Sequence, residues 1–186
     1  MESDEFIKRI TEDYILDEEN TKQERIDRFI ELNTLFGPQG DKLLKGGIQS
    51  QLALHEVANS YVCGNYMAVI LLAQAFIEHS LSGVFIMHDD VKTAESSFKV
   101  IIDKSLELQI ISSELHTGLN ELRLLRNPYV HAKAGLKNGS LVKKMIDRKY
   151  ISPIDMSKND AFSALTILKD FMQQQVPMWF YETDET

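Results

Sequence analysis

An arginine and a histidine five positions apart, in Arg126-Asn127-Pro128-Tyr129-Val130-His131, are the residues of this chain best suited to chemistry. An imidazole carries protons near neutral pH. A guanidinium holds a phosphate through two parallel hydrogen bonds. Together they form a minimal kit for RNA phosphodiester chemistry. His131 would take the proton from a ribose 2′-OH or give one to the leaving 5′-oxygen. Arg126 would stabilise charge on a phosphorane-like transition state, and Asn127 would orient His131 or contact the phosphate. The products would be a 2′,3′-cyclic phosphate and a 5′-OH. One histidine does not readily serve as base and acid in the same step, so a second copy of the chain is expected to supply the other.

The elements that must position these residues read as helical nearly throughout, with no strand alternation and no repeat. Phe6, Ile7, Ile10 and Tyr14 give a short apolar stripe in an acidic segment. Thr21-Lys-Gln-Glu24 reads as a capping box opening a helix that Gly37-Pro38 stops. Helices are predicted over 48–63, 66–87, 93–111, 114–126 and 158–175, the last opened by a second capping box, Ser157-Lys-Asn-Asp160. Residues 141–156 are the least clear part and are read as holding a short helix. The stretch from Tyr66 to Met87 is apolar on most sides and is expected at the centre of the core. Cys63 reads as a packing residue. The fold class is therefore all-α, a helical bundle over residues 48–176 with an N-terminal helical extension over 1–47 and an acidic tail over 177–186.

On one unbroken helix, residues five apart point about 140° away from each other. Pro128 is expected to relieve this. It cannot donate to Leu124, and it pushes Asn127 out of helical geometry. The predicted result is a helix end near Arg126, Asn127 as N-cap and Pro128 at the first position of a new helix. His131 would then lie near free backbone N–H groups suited to a phosphate. Glu78, with Gln74 one turn before it, lies in an apolar helix and needs a partner if buried. Arg126 or His131 is the expected one, which would place Glu78 and Gln74 behind the site. The alternative is structural: Arg126 pairs with Glu78 to lock two helices, and His131 is a satisfied histidine.

The net charge of −8 argues at first sight against nucleic acid, but its distribution is uneven. Residues 121–150 hold eight basic residues (Arg123, Arg126, Lys133, Lys137, Lys143, Lys144, Arg148, Lys149) and two acidic ones, giving +6 against −14 elsewhere. This block can focus an anionic ligand or track an RNA backbone. A plain solvated face is the competing reading. Trp179, Phe180 and Tyr181 are expected to pack on the bundle or a partner.

Other chemistries lack their signatures. There is no H-E-x-x-H, no C-x-x-C and no paired-histidine spacing, so no metal is assigned, and no G-x-G-x-x-G, P-loop or G-x-S-x-G, so no cofactor is assigned. The acidic N-terminus does not read as a secretory signal. Gln74, Glu78 and His79 interrupt the longest apolar run, and a charge at a bilayer centre costs about 2.5–3.5 kcal/mol, so no membrane is expected. A single cysteine fits a cytoplasmic setting.

The string Arg126 to His131 resembles the R-x(4–6)-H motif of the helical HEPN superfamily, with Asn127 in the family's polar position. The run from Ile110 into Arg126 is similar to the family's approach to the motif. The helix from Asn65 to Glu78 looks like its core helix with an embedded acid, and the resemblance covers roughly residues 48–175. It implies a helical bundle that often dimerises, pairing two motifs across one cleft. It also implies metal-independent RNA cleavage in a toxin–antitoxin, phage-defence or RNA-processing setting, with an RNA substrate and an antitoxin or other protein partner. Other members keep the fold as non-catalytic modules binding nucleotide, RNA or protein.

Overall fold

The computed structural model describes residues 2–37 and 46–174. Every regular element among them is helical: α1 (Glu2–Phe36), α2 (Gly47–Val62), α3 (Tyr66–Met87), α4 (Val91–Ala94), α5 (Phe98–Glu107), α6 (Ser113–Val130), α7 (Leu141–Asp147) and α8 (Pro153–Gln173). The tail from 177 onward, with Trp179, Phe180 and Tyr181, lies outside the described residues.

The core forms around α3, which packs against α2, α4, α5, α6 and α8. Val69, Ile70, Ala73, Ile77, Leu81 and Val84 are fully buried there, and Phe76 meets Phe171 of α8 edge-to-face at 6.0 Å. Among the described residues α3 is the one helix long and apolar enough to cross a membrane by length and composition. Most of this apolar stretch is buried against neighbouring helices, as expected of a core element. Serine caps set several boundaries. Ser112 Oγ accepts from the Leu115 N–H and Ser140 Oγ from the Lys143 N–H, both at 3.1 Å.

Outside α6, three boundaries and the burial of one residue differ from the sequence reading. Thr21 opens no helix: α1 runs straight through it, and the Thr21 hydroxyl donates to the Asp17 carbonyl four residues back. The segment 93–111 is split at Ser96–Ser97, because Asp90 caps the short α4 and Ser97 enters α5 in extended geometry. The last helix starts at Pro153 behind the Ser152 cap, so Asp160 lies two turns inside it. Cys63 is exposed, since it follows the last helical residue of α2 rather than facing the core.

α1 joins the bundle only through its C-terminal third. The Arg28 side chain is buried, its Nε donating to the Val62 carbonyl at 2.8 Å at the end of α2. Tyr61 of α2 donates to Glu31 at 2.6 Å, and Leu32, Leu35 and Phe36 pack on the core. Residues 4–20 are exposed along their whole length. Arg28→Ala is expected to lower stability by about 1–3 kcal/mol, because it strips an end carbonyl of α2 and the packing of the arginine stem. Urea unfolding of the two proteins measures this, with Arg28→Lys recovering little.

Candidate functional site

α6 does not break at the motif. It stays helical through Pro128 to Val130, and the His131 N–H closes the last turn on the Asn127 carbonyl at 3.0 Å. A proline inside a helix costs about 3 kcal/mol, so something must hold this turn in place. The next residue does so. The Tyr129 ring is buried, and its hydroxyl donates to Asp160 Oδ2 on α8 at 2.6 Å. The cost of Pro128 is softened by its position near the helix end, two residues before the last helical position.

The expected placement of the motif is corrected accordingly. Asn127 is not an N-cap and Pro128 starts no new helix. His131 is the C-cap of α6, in extended geometry, at the end where carbonyls rather than N–H groups are left over. The free N–H groups of this helix lie at its other end, roughly 25 Å away. Because the helix is continuous, Arg126 and the start of His131 fall about 140° apart around its axis. The two side chains therefore start from different sides of the helix. Arg126 is half-buried and His131 is exposed. Neither makes a side-chain hydrogen bond or ion pair with another of the described residues.

Glu78 is half-buried and accepts from Gln74 Nε2 at 3.2 Å. It forms no ion pair with Arg126 or His131 among the described residues, so the expected link from α3 to the motif is not made. Gln74 is itself buried, and its Oε1 has no hydrogen-bond partner among the described residues.

What ties the motif to the rest of the molecule is Asp160. Its carboxylate is 1% exposed and takes three donors: Tyr129 Oη, Lys144 Nζ at 2.5 Å and Arg148 Nη1 at 2.7 Å. The Lys144 ammonium also sits 5.3 Å from the Tyr129 ring centroid. The end of α6, the whole of α7 and the first half of α8 thus meet on one acid. Burial raises the Tyr129 hydroxyl well above its usual 10.0, and Asp160 adds to the rise by accepting its proton. Burial lowers the Lys144 ammonium from its usual 10.5, against the pull of Asp160.

The basic block is partly spent inside the protein. Lys144 and Arg148 serve Asp160, and Lys143 pairs with Asp147. The Arg123 guanidinium donates to the Asn120 side chain at 2.9 and 3.1 Å, and Lys133 reaches the Asn138 carbonyl at 3.4 Å. Lys137 and Lys149 are exposed. Arg148 keeps a half-exposed guanidinium with donors to spare. It helps line a cleft of about 540 Å³ between α6, α7 and α8, with Leu124, Leu125, Pro128, Lys143 and Ile167 among its walls. The α6 residues of this cleft, Leu124, Leu125 and Pro128, fall about 100–160° around the axis from Arg126. The sequence reading missed Asp160 as the anchor and Tyr129 as its ligand. Its signal was present: Asp160 falls in phase with Ala161, Ala164, Leu165 and Leu168 on the buried face of α8.

No protein-family model, curated protein or solved structure matches this chain.

Two outcomes follow from the Asp160 centre. Asp160→Asn strands a buried ammonium, which is expected to cost about 3–5 kcal/mol in urea unfolding. The second concerns pH. Tyr61 and Tyr129 are both raised in the folded chain, by burial first and by Glu31 and Asp160 next. Above pH 10 the unfolded chain releases protons that the folded chain retains. Their contribution is therefore complete below that pH and falls as pH rises beyond it. Unfolding midpoints from about pH 9 to about pH 11 should decline less steeply in Tyr129→Phe than in wild type.

Proposed function

We propose that the chain is a metal-independent endoribonuclease of the HEPN type, acting as a homodimer in a toxin–antitoxin, phage-defence or RNA-processing setting within the cytoplasm. The observation that carries this reading is the state of the motif. Arg126 and His131 stand at the end of a bundle helix, open to solvent at least in part, with no side-chain partner among the described residues. Lys143, Lys144 and Arg148 close by are already engaged. The all-helical bundle is consistent with the family resemblance.

The geometry favours a site built from two copies. Since one continuous α6 turns Arg126 and His131 away from each other, Arg126 of one chain would serve the phosphate at which His131 of the other moves a proton. Two histidines in one cleft would also divide the base and acid roles. Asn127, on the same turn, would contact the phosphate. Arg123, Lys133, Lys137 and Lys149 would steer the RNA backbone.

The same divergence of Arg126 and His131 favours a second reading, a non-catalytic module that binds nucleotide, RNA or protein through this surface. Cleavage of a mixed RNA panel in EDTA separates the two. Wild type is expected to leave 2′,3′-cyclic phosphate ends, His131→Ala none, and an equimolar mixture of wild type and His131→Ala about a quarter of the activity of wild type at equal total protein, since only dimers with both histidines cleave. RNA binding that survives in His131→Ala and weakens with salt, without cleavage by wild type, would replace the nuclease with the binding module.

A further inference from the structure

At the far end of α8 from Asp160 lies a small pocket. It holds about 190 Å³ between the C-terminal third of α1, the middle of α2 and the last two turns of α8. Leu32, Leu54, Val57, Leu168 and Met172 make its walls apolar. The exposed Asn33 adds a polar group at the rim. Its Nδ2 donates to the Phe29 carbonyl at 2.8 Å, while its Oδ1 accepts no hydrogen bond from another of the described residues. Pockets for small molecules run to about 300–1,000 Å³, so this one suits a single large side chain instead. Covering its walls would gain about 25 cal/mol for each Å² of apolar surface taken from water.

The chain supplies such a side chain close by. α8 ends at Gln173, one residue past Met172. Gln174 is tied to the start of α6, its Nε2 donating to Ser112 Oγ and its Oε1 accepting from the Ser112 N–H at 3.4 Å. Two residues further on the sequence runs Val176-Pro177-Met178-Trp179-Phe180-Tyr181, before the acids Glu182, Asp184 and Glu185. A proline at 177 disfavours a straight continuation of α8. From Gln174 to Trp179 the backbone spans at most about 17 Å. Leu168 lies about 9 Å back along α8, and crossing the helix adds about 10 Å at right angles to that. The diagonal is shorter than the span, so the whole pocket is within reach of residue 179.

Tryptophan also matches the pocket chemically. The indole offers a broad apolar face and one donor, with no acceptor. Asn33 Oδ1 is the acceptor that donor needs. Leu43 and Leu44, ahead of α2, are tethered elsewhere. Gly46 packs so closely on α3 that a Cβ there would stand 2.4 Å from the His79 carbonyl oxygen. Two or three residues before Gly46 the chain reaches about 7–11 Å from it. Val57 and Ala58 lie about 16–18 Å along α2.

We infer that Trp179 fills the pocket between α1, α2 and α8 of its own chain, its Nε1–H donating to Asn33 Oδ1. The C-terminal segment then straps the end of α1 to α8, a pair of helices that otherwise touch little because α1 packs mainly on α2. The inference does not depend on the motif chemistry, which lies at the other end of α8 and which His131→Ala tests separately.

Trp179 is the single tryptophan of the sequence, so its fluorescence reports this contact alone. In the folded chain its emission is expected at shorter wavelength than in urea, with acrylamide quenching several-fold weaker. Ala58→Glu sets a carboxylate among the pocket walls. It should move both readouts to their unfolded values while helical circular dichroism is kept. Trp179→Ala should speed amide exchange in residues 30–36 several-fold and leave the α3 amides as in wild type, a readout that stands even if Ala58→Glu does not fold. A tryptophan as exposed in the folded chain as in urea would overturn the assignment and leave the pocket to residues 38–45. Shielding that persists in folded Ala58→Glu, or unchanged exchange in Trp179→Ala, would place the indole elsewhere and overturn it too. Shielding lost on dilution would overturn it in favour of a second copy as the surface that Trp179 meets.

Discussion

A single buried carboxylate organises the end of the bundle that carries the Arg126–His131 motif. Asp160 sits on the apolar face of α8 at 1% exposure, where an unpaired charge is untenable. Its solution is to gather Tyr129 from the last turn of α6 and Lys144 and Arg148 from α7 and its cap. Each partner is itself constrained by the arrangement. Lys144 loses water for its ammonium and gains the acid and the Tyr129 ring in exchange. α7 has no buried residues of its own. Its place against the bundle therefore rests on these contacts and on Leu141, which packs at the margin of the core.

The motif inherits its geometry from that arrangement. Tyr129 is the third of the four residues between Arg126 and His131, and anchoring it holds α6 helical across Pro128. An unanchored chain could break there and fold the histidine back towards the arginine. The anchored chain keeps them on separate sides of α6, which is why the proposed chemistry calls for two copies. The same contacts withdraw Lys144, and in part Arg148, from any RNA. The positive charge left for a ligand is smaller and more dispersed than the count over 121–150 suggests.

Much of the bundle was legible in the sequence because helical periodicity records burial directly. The limits of α3 were read correctly from Tyr66 to Met87, and those of α2 to within a residue. Errors arose where a local string mimicked a cap. Thr21–Glu24 and Ser157–Asp160 both carry the spacing of a capping box. In the first, the Thr21 side chain bonds backwards within a continuous helix. In the second, Ser152-Pro153 had already opened the helix. The Pro128 error has the same origin. Local propensity favoured a break, and a tertiary contact from Tyr129 to a residue 31 positions away overrode it. The arrangement around the candidate motif was not legible, since Asp160, the residue that holds Tyr129, was read as part of a cap.

The most direct test of the central role of Asp160 is amide hydrogen exchange in wild type and Asp160→Asn under conditions where both remain folded. Protection of residues 141–147 should fall together with that of 129–131, while the α2 and α3 amides keep theirs. If both segments stay as protected as in wild type, or if α7 loosens while the end of α6 does not, then Asp160 does not hold the motif in place.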